Sequence, residues 1–446
     1  MSQPARVGLL ERLCLHRPEL RAWALYDWAN SGLVTVVITT VFPNYFSSVA
    51  CAGVEPAVAT QRFSLVTTIS LAVAALASPL LGALADARAA KKRFLGIFMA
   101  LGISATAAMF AIQEGQWRLA AVLFGLANLG VVASFVFYDA LLPHVAREGE
   151  LDRLSSAGYA LGYVGGGLLL ALDLALLQRP DWFGLPSGEG LTSAQATLPA
   201  RLAFVSVAVW WLVFSIPLFL RVSEPPPTAR PGEPSPGLRV ALRELGQTLR
   251  DLVSMRQTFL MLVAFLIYND GIGTIIRMAT PFGEELGLDR GAMITAILMV
   301  QFVGIPCAFA FGALAQRIGT KPAILAGIGV YFVTTLVAWR MHSEAEFYLL
   351  AFLVGLVQGG VQALSRSLFA SLIPARRSGE FFGLFAVLEK FAGVAGPAFF
   401  WLAAVTTGSS RAGLLSVILF FAVGGLLLLR VDVAAGQRAA REAEAA

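Results

Sequence analysis

Charge is scarce in this 446-residue chain: Asp, Glu, Lys and Arg together make up only 14% of it, against roughly 25% in an ordinary soluble domain. With 57% hydrophobic residues and a mean hydropathy of +0.74, that deficit excludes a conventional water-soluble globule. Cysteine is rare as well. Cys14, Cys51 and Cys307 are scattered, which provides neither a disulfide framework nor a metal-ligand spacing, so no metal and no redox cofactor is expected. His16, His144 and His342 fall at or beyond the ends of apolar runs, and HExxH, GxSxG and the phosphate-binding GxxxxGK pattern are missing. The chain is therefore not expected to be an enzyme. The first twenty residues carry Arg6, Glu11, Arg12, Arg17 and Glu19 without an apolar core or a small-residue cleavage site, so no removable leader is expected.

Long apolar runs fill the space that charge leaves. A transmembrane helix needs about 20 mostly apolar residues. Twelve such runs occur, at about 22–46, 62–84, 94–113, 117–142, 154–177, 199–220, 257–280, 291–314, 322–341, 346–371, 380–404 and 412–430. They are too long and too evenly apolar for the period-two strands of a membrane barrel, so the expected class is all-α integral membrane. Basic residues then orient the helices, because Lys and Arg favour the cytoplasmic side. The loops on the N-terminal side and the C-terminal tail hold 23 of them and the opposite loops 7, placing both termini in the cytoplasm, at the inner membrane if the source is bacterial. The net charge of +5 and pI of 9.3 follow from this bias; the expected partners are the lipid bilayer and a small polar solute, with no nucleic acid, and the chain is expected to be a monomer.

The runs divide six and six around "SEPPPTARPGEPSPGLRV", whose prolines and charges favour extended, exposed chain. The expected organisation is a cytoplasmic segment 1–21, a six-helix bundle 22–221, a cytoplasmic linker 222–255, a second six-helix bundle 256–431 and a tail 432–446. The halves echo each other. "GALADARAAKKR" from Gly82 matches "GALAQRIGTK" from Gly312 at an offset of 230, and "LLPHVARE" matches "LIPARRSGE" at an offset of 231. A looser match sets "YDWANSG" in the first run against "YNDG" at Tyr268 in the seventh. Duplicated six-helix halves joined by a linker are the layout of transporters that bind solute at the midplane between them.

Asp27, Asp139, Asp173, Asp270, Arg277, Arg366, Glu389 and Lys390 fall inside the runs, where an isolated charge costs about 2.5–3.5 kcal/mol. They must pair, reach water or sit near helix ends. Gln358, Gln362 and Arg366 share a face at i, i+4 and i+8 and read as a wet wall. Asp270, Thr274 and Arg277 also share a face, but the acid and the Arg are about 10 Å apart by helix rise, so no direct pair is expected. Asn128 and Asp139 share a face beside Tyr138, as do Asp27, Asn30 and Ser31. An isolated Asn or Ser in such a place more often bonds a neighbouring helix, at about 0.6 kcal/mol. Asp173 reads as an interfacial acid near the outer end of the fifth run. For Asp27 and Asp139, near cytoplasmic helix ends, structural ion pairs that latch that side and substrate contacts both stay open. Gly158, Gly162 and Gly166 repeat every four residues, a stripe that lets another helix approach closely; Tyr159 and Tyr163 on another flank fit either packing or a cavity.

The "GALADARAAKKR" turn resembles the loop-two signature of the major facilitator superfamily, with Ala87 and Ala89 departing from it and Gln316 standing in the second copy where an acid is usual. Asp86 suits a helix N-terminus, where the dipole favours an anion, and Arg88, Lys91, Lys92 and Arg93 suit the cytoplasmic face. "WALYDWANSG", "FYDALLPHVA", "SSAGYALGYVGGG", "YNDGIGTII", "GLVQGGVQALSRSLFASLIP" and "EFFGLF" resemble the vacuole-effluxer, autophagy-related branch of that superfamily. The resemblance implies the major facilitator fold, two pseudo-symmetric six-helix bundles, and secondary transport of a small polar solute of the amino-acid kind by alternating access. A transporter-like receptor or lipid-handling protein is the alternative. The expected cavity residues are Asn30, Asn128, Asn269, Asp270, Arg277, Gln301, Gln358, Gln362, Arg366, Glu389 and Lys390, and the expected gate is Asp27, Gly82, Asp86, Arg88, Lys91, Tyr138 and Asp139. Beyond this no cofactor is expected; Asp270 and Glu389 are candidates for a coupling proton.

Overall fold

A computed structural model describes residues 8–147, 149–227, 238–392, 395–407 and 410–445. Its architecture is twelve helices long and apolar enough to cross a bilayer: α1 Pro18–Ala50, α2 Val58–Ala87, α3 Lys91–Ala111, α4 Trp117–Val145, α5 Leu151–Gln178, α6 Leu198–Arg221, α7 Arg256–Ala279, α8 Gly291–Ile318, α9 Thr320–Arg340, α10 Glu344–Ser371, α11 and α12 Arg411–Leu429. The α11 span is described as two helical pieces, Ser378–Ala392 and Ala395–Thr407. No strand occurs among the described residues. In hydrocarbon every backbone polar group must be satisfied within the chain, and uninterrupted apolar runs achieve this as helices even with Pro79, Pro143, Pro217 and Pro306 inside them. Large apolar side chains such as Leu65, Leu76, Val209, Leu220, Phe302 and Leu426 are exposed on the outer faces, which a lipid surround accommodates and water does not.

α1–α6 form one bundle and α7–α12 the other. Inside the first, α1 lies on α5 because the glycine stripe removes side chains from the contact. A Cβ on Gly162 would meet Ser31 Oγ at 2.7 Å, and one on Gly166 would meet Thr35 Oγ1 at 2.6 Å. The outer half of α1 has widened turns over Leu33–Val41 and Phe46–Ala50. There Thr39 and Thr40 both donate their hydroxyls to the carbonyl of Thr35, each at 2.7 Å, an alternative use of the carbonyls that loosens the regular ladder.

The bundles meet mainly through α2 against α11 and through α5 against α8 and α10. These contacts repeat about a pseudo-two-fold axis. A Cβ on Gly82 would collide with the Gly379 carbonyl at the start of α11, and a Cβ on Gly312 would reach Ser156 Cβ at 2.9 Å at the start of α5.

Between the bundles, beyond Pro236, Leu238–Ser254 forms a helix docked on α2, α7 and α11. Of the stretch 223–240 expected to be extended, 228–237 lie outside the described residues, and the last three, 238–240, instead open this helix, where no proline interrupts the turn. Thr248 and Asp251 of this helix hold Arg377 at 2.6 and 2.7 Å. A last helix, Val433–Ala445, packs beneath α7 and α10, with Gln437 Nε2 donating to Ser371 Oγ at 3.4 Å. The turn Leu9–Arg12, the linker helix and this last helix share one side of the molecule, the terminus face.

Candidate functional site

Arg366 is the residue on which the two bundles converge. α10 carries it to within two turns of the terminus face, where it is 5% exposed. Its Nη1 donates to Asp139 Oδ1 at 3.0 Å, Nη2 to Asp27 Oδ2 at 3.2 Å and to the Ser155 carbonyl at 3.1 Å, and Nε to Ser155 Oγ at 2.9 Å. The guanidinium carbon lies 4.9, 5.6 and 4.7 Å from the ring centres of Trp23, Tyr138 and Tyr159, inside the range in which a ring face attracts a cation. Tyr138 donates its hydroxyl to Asp27 Oδ2 at 2.9 Å, and the Trp23 indole donates to the Tyr138 carbonyl at 3.1 Å. A gate set on α1 and α4 and a cavity residue on α10 thus form one cluster. Trp23 and Ser155 belong to it as well; both stand inside sequence stretches already noted, but nothing in their spacing reveals that they face a charge on another bundle.

A second junction joins α2 to α11. Asp86 accepts the Gly379 and Glu380 backbone N–H groups at 3.1 and 2.9 Å, so its carboxylate sits at the N-terminus of α11, where the helix dipole favours an anion. Lys91 does not face outward with Arg88, which is exposed; its ammonium is buried in an ion pair with Asp86. This corrects the expectation for Lys91, and its cause is local: Ala89 takes a left-handed turn at φ 48°, which folds the α3 start back under α2. Lys92 likewise turns inward, donating to the Phe219 carbonyl at 2.9 Å and to the Val222 carbonyl. At the symmetry-related junction Gln316 donates its amide to the Gly149 carbonyl at 3.2 Å, an uncharged contact in place of a charged one. Asp152 at the start of α5 accepts from Ser367 at 2.5 Å and Thr320 at 2.6 Å, while Ser378 donates to the Ala140 carbonyl at 2.8 Å.

The remaining cavity candidates scatter. Asn269, Gln301, Gln358 and Gln362 are half-buried, and their amides have no hydrogen-bond partner and are not sealed from solvent among the described residues. Gln358 and Gln362 stand two turns and one turn above Arg366 on α10. Asn128 spends its amide on Ser70 Oγ at 2.8 Å, between α4 and α2. Asn30 is fully buried inside the first bundle, with neither amide atom partnered among the described residues.

Asp270 accepts the Gly396 N–H at 2.5 Å and pairs with Arg277 at 3.7 Å. That pair corrects the expectation of no contact: a helical side chain tilts toward the N-terminus, and the long Arg reaches back across two turns. Glu389 and Lys390 pair with each other at 3.5 Å, each about one-third exposed. Asp173 is a further correction. It is 1% exposed, tucked between α5 and α6 with Oδ1 accepting from Ser206 at 2.8 Å and Oδ2 unpartnered among the described residues. Tyr163 reaches the second bundle as packing, its ring 3.0 Å from a Cβ built on Gly304.

Just outside the spans, Glu150 receives Arg17 and the Arg147 N–H at 2.8 Å. Burial pushes this carboxyl up, but those donors outweigh it and hold it below its usual value. Burial, with Glu150 adding to it, pushes the Cys14 thiol up to about 11.

The family model described as "Vacuole effluxer Atg22 like" matches residues 55–151 and 149–441. The MFS-type transporter YxiO of Bacillus subtilis (strain 168) is 34% identical over 91% of this chain and 93% of its own length. Autophagy-related protein 22 of Coccidioides immitis (strain RS) is 25% identical over 87% of this chain and 75% of its own length. Among solved structures, the proton:xylose symporter XylE superposes with a TM-score of 0.66 at 13% identity, covering 93% of this chain and 95% of XylE. A bacterial homologue of the iron transporter ferroportin, in its outward-facing state, gives 0.66 at 15% identity, covering 93% and 98%. These solved structures share the fold.

Proposed function

Since this chain belongs to the Atg22-like vacuole effluxer family of major facilitator transporters, we propose that it moves a small polar solute of the amino-acid class by alternating access. In this reading the terminus face is the closed side and solute enters or leaves on the opposite side. One observation carries the proposal: among the described residues, every hydrogen bond between the bundles lies on the terminus-face half, at Arg366, Asp86, Gln316, Asp152, Ser378 and Ser155, whose hydroxyl donates to the Ala363 carbonyl at 2.7 Å. A pair of bundles fastened at one end only is what rocking requires.

The solute path then runs between the halves from the far side down to the Arg366 cluster. Gln358 and Gln362 supply unpaired amides just above that floor, with Asn269 and Gln301 beside the same path. Opening the terminus face requires Arg366 to leave Asp27 and Asp139, and α11 to leave the Asp86 carboxylate. The bias of basic residues assigns the terminus face to the cytoplasm, so in an effluxing cell the state described here is the one that releases solute. A coupling proton fits this scheme, with Asp270 and Glu389 as its candidates.

The test is flux in proteoliposomes carrying the purified full-length protein. Expected is uptake of one or more amino acids above protein-free vesicles, reduced at least about tenfold by Arg366→Ala. Solute-dependent thermal stabilisation without any flux would replace transport by a receptor role. Flux indifferent to an imposed pH gradient would remove the proton and leave facilitated diffusion.

A further inference from the structure

We infer that the pocket now filled by Arg366 is a receptor for the cationic group of the solute, an ammonium or guanidinium, and that Arg366 occupies it as an internal stand-in. The inference rests on the transport reading and names the solute's charge. Its first support is the division of parts between the bundles. Trp23 and Asp27 on α1, Tyr138 and Asp139 on α4, and Ser155 and Tyr159 on α5 all belong to the first bundle; Arg366 alone comes from the second. When the bundles separate at the terminus face, the guest leaves and the six host residues stay together, the Ser155 hydroxyl giving up its bond to the Ala363 carbonyl of α10.

The lining is the second support. Every polar contact of the guanidinium is to an acceptor: two carboxylates, one hydroxyl oxygen and one carbonyl. Three aromatic rings close the remaining sides, and rings hold an organic cation by its charge while adding nothing for a bare proton. The host is also preorganised within its own bundle. The Trp23 and Tyr138 rings stack at 4.4 Å, and the Tyr138 hydroxyl fixes Asp27.

Space is the third support. Gly158 forms the floor, where an added Cβ would come within 2.5 Å of Asp27 Oδ2, 3.1 Å of the Trp23 ring and 3.2 Å of Arg366 Nη2. A vacated pocket with two unpaired carboxylates, walled by rings and with no room at Gly158 for even a Cβ, demands a replacement cation of about guanidinium size. An α-ammonium of an amino acid meets that description, and the Gln358 and Gln362 amides on the opposite bundle, two turns and one turn above Arg366, can donate N–H to its carboxylate.

Two measurements test this. In detergent, Arg366→Ala should gain a saturable rise in Tm of about 3 °C with methylguanidinium chloride over equal sodium chloride, and Gly158→Ala added to it should abolish the rise. A folded Arg366→Ala protein that responds equally to both salts overturns the inference. In proteoliposomes, wild-type protein should carry alanine or lysine but not N-acetylalanine or sorbitol. Tyr159→Leu, which keeps every charge, should cut that flux at least about tenfold; this arm decides the matter should Arg366→Ala fail to fold. Carriage of N-acetylalanine or sorbitol as fast as the amines overturns the cation site and leaves transport standing. Absence of flux for all four solutes removes the transport reading instead, and methylguanidinium binding then still decides the pocket.

Discussion

At the scale of single residues, the physics of a buried polar group depends on how many partners it keeps. Asp173 has one, Ser206, and an oxygen without any among the described residues. Asp173→Asn should therefore be close to neutral in thermal unfolding, because it retains an acceptor for Ser206 and removes a potential charge. Ser206→Ala should cost about 1–3 kcal/mol, the penalty of stranding a buried acceptor. A larger loss for Asp173→Asn than for Ser206→Ala would contradict this account.

Glu150 is the opposite case, over-supplied with donors from Arg17 and Arg147. Its folded value lies below the reference of 4.5, so its stabilisation is fully present above that pH and is lost as pH falls through the lower, folded value. Glu150→Gln should lower the Tm at pH 7 by an amount in the range of partly exposed ion pairs, up to about 1 kcal/mol. The gap to wild type should close in acid, which paired melting curves at pH 7 and pH 3.5 would show.

At the scale of elements, symmetry makes a sharper statement than sequence similarity does. Gly82 and Gly312 do the same work on related helices, each allowing a helix start from the other bundle to touch. Asp86 and Gln316 stand one turn further on and do opposite work. Asp86 accepts from backbone N–H groups, whereas Gln316 donates to the Gly149 carbonyl. Restoring the acid at the second site should accordingly weaken the junction: Gln316→Glu replaces a donor by an acceptor against a carbonyl, a loss of about 1 kcal/mol at this exposed position. The readout is the distance between spin labels on the two bundles at the terminus face, expected to lengthen or broaden in Gln316→Glu. A shortened, narrowed distribution would show that an acid strengthens this junction too.

At the scale of the whole molecule, the proposed rocking about bundles bonded on the terminus-face half is testable. The Ser367 hydroxyl donates to Asp152 across the bundles at 2.5 Å, which makes this pair the place to cross-link them. Asp152→Cys with Ser367→Cys, in a background lacking Cys14, Cys51 and Cys307, should stop flux when oxidised and regain it on reduction. Undiminished flux in the oxidised form would mean that the terminus face does not open during transport.

Much of the architecture was legible before any coordinates. The twelve spans, the duplicated halves and the junction at Gly82 follow from runs of apolar residues, one repeated offset and a short motif, because a bilayer leaves a chain few options for satisfying its backbone. That Asp86 suits a helix N-terminus was legible from its type, but not that the helix is α11, nearly three hundred residues away in the other bundle. The partners of charges were not. Asp27 and Asp139 read as a gate and Arg366 as part of a cavity wall, since helical spacing reports which residues share a face but not which face meets which. The Asp270–Arg277 contact was missed because spacing counts Cα positions, and a long side chain crosses the difference. Lys91 reads from sequence as a cytoplasmic-face gate residue beside Arg88; that it turns inward to Asp86 was not legible, because one residue of left-handed backbone at Ala89 is invisible in composition.

What the amino-acid order alone determined is how many helices cross the bilayer and that they form two related sets, since both are consequences of local hydrophobicity and repetition. What only the tertiary structure decided is that a cation from one set lies inside a ring of acids and aromatics from the other. That outcome belongs to packing between bundles more than two hundred residues apart in sequence, where electrostatics acts on distances in space and is blind to distance along the chain.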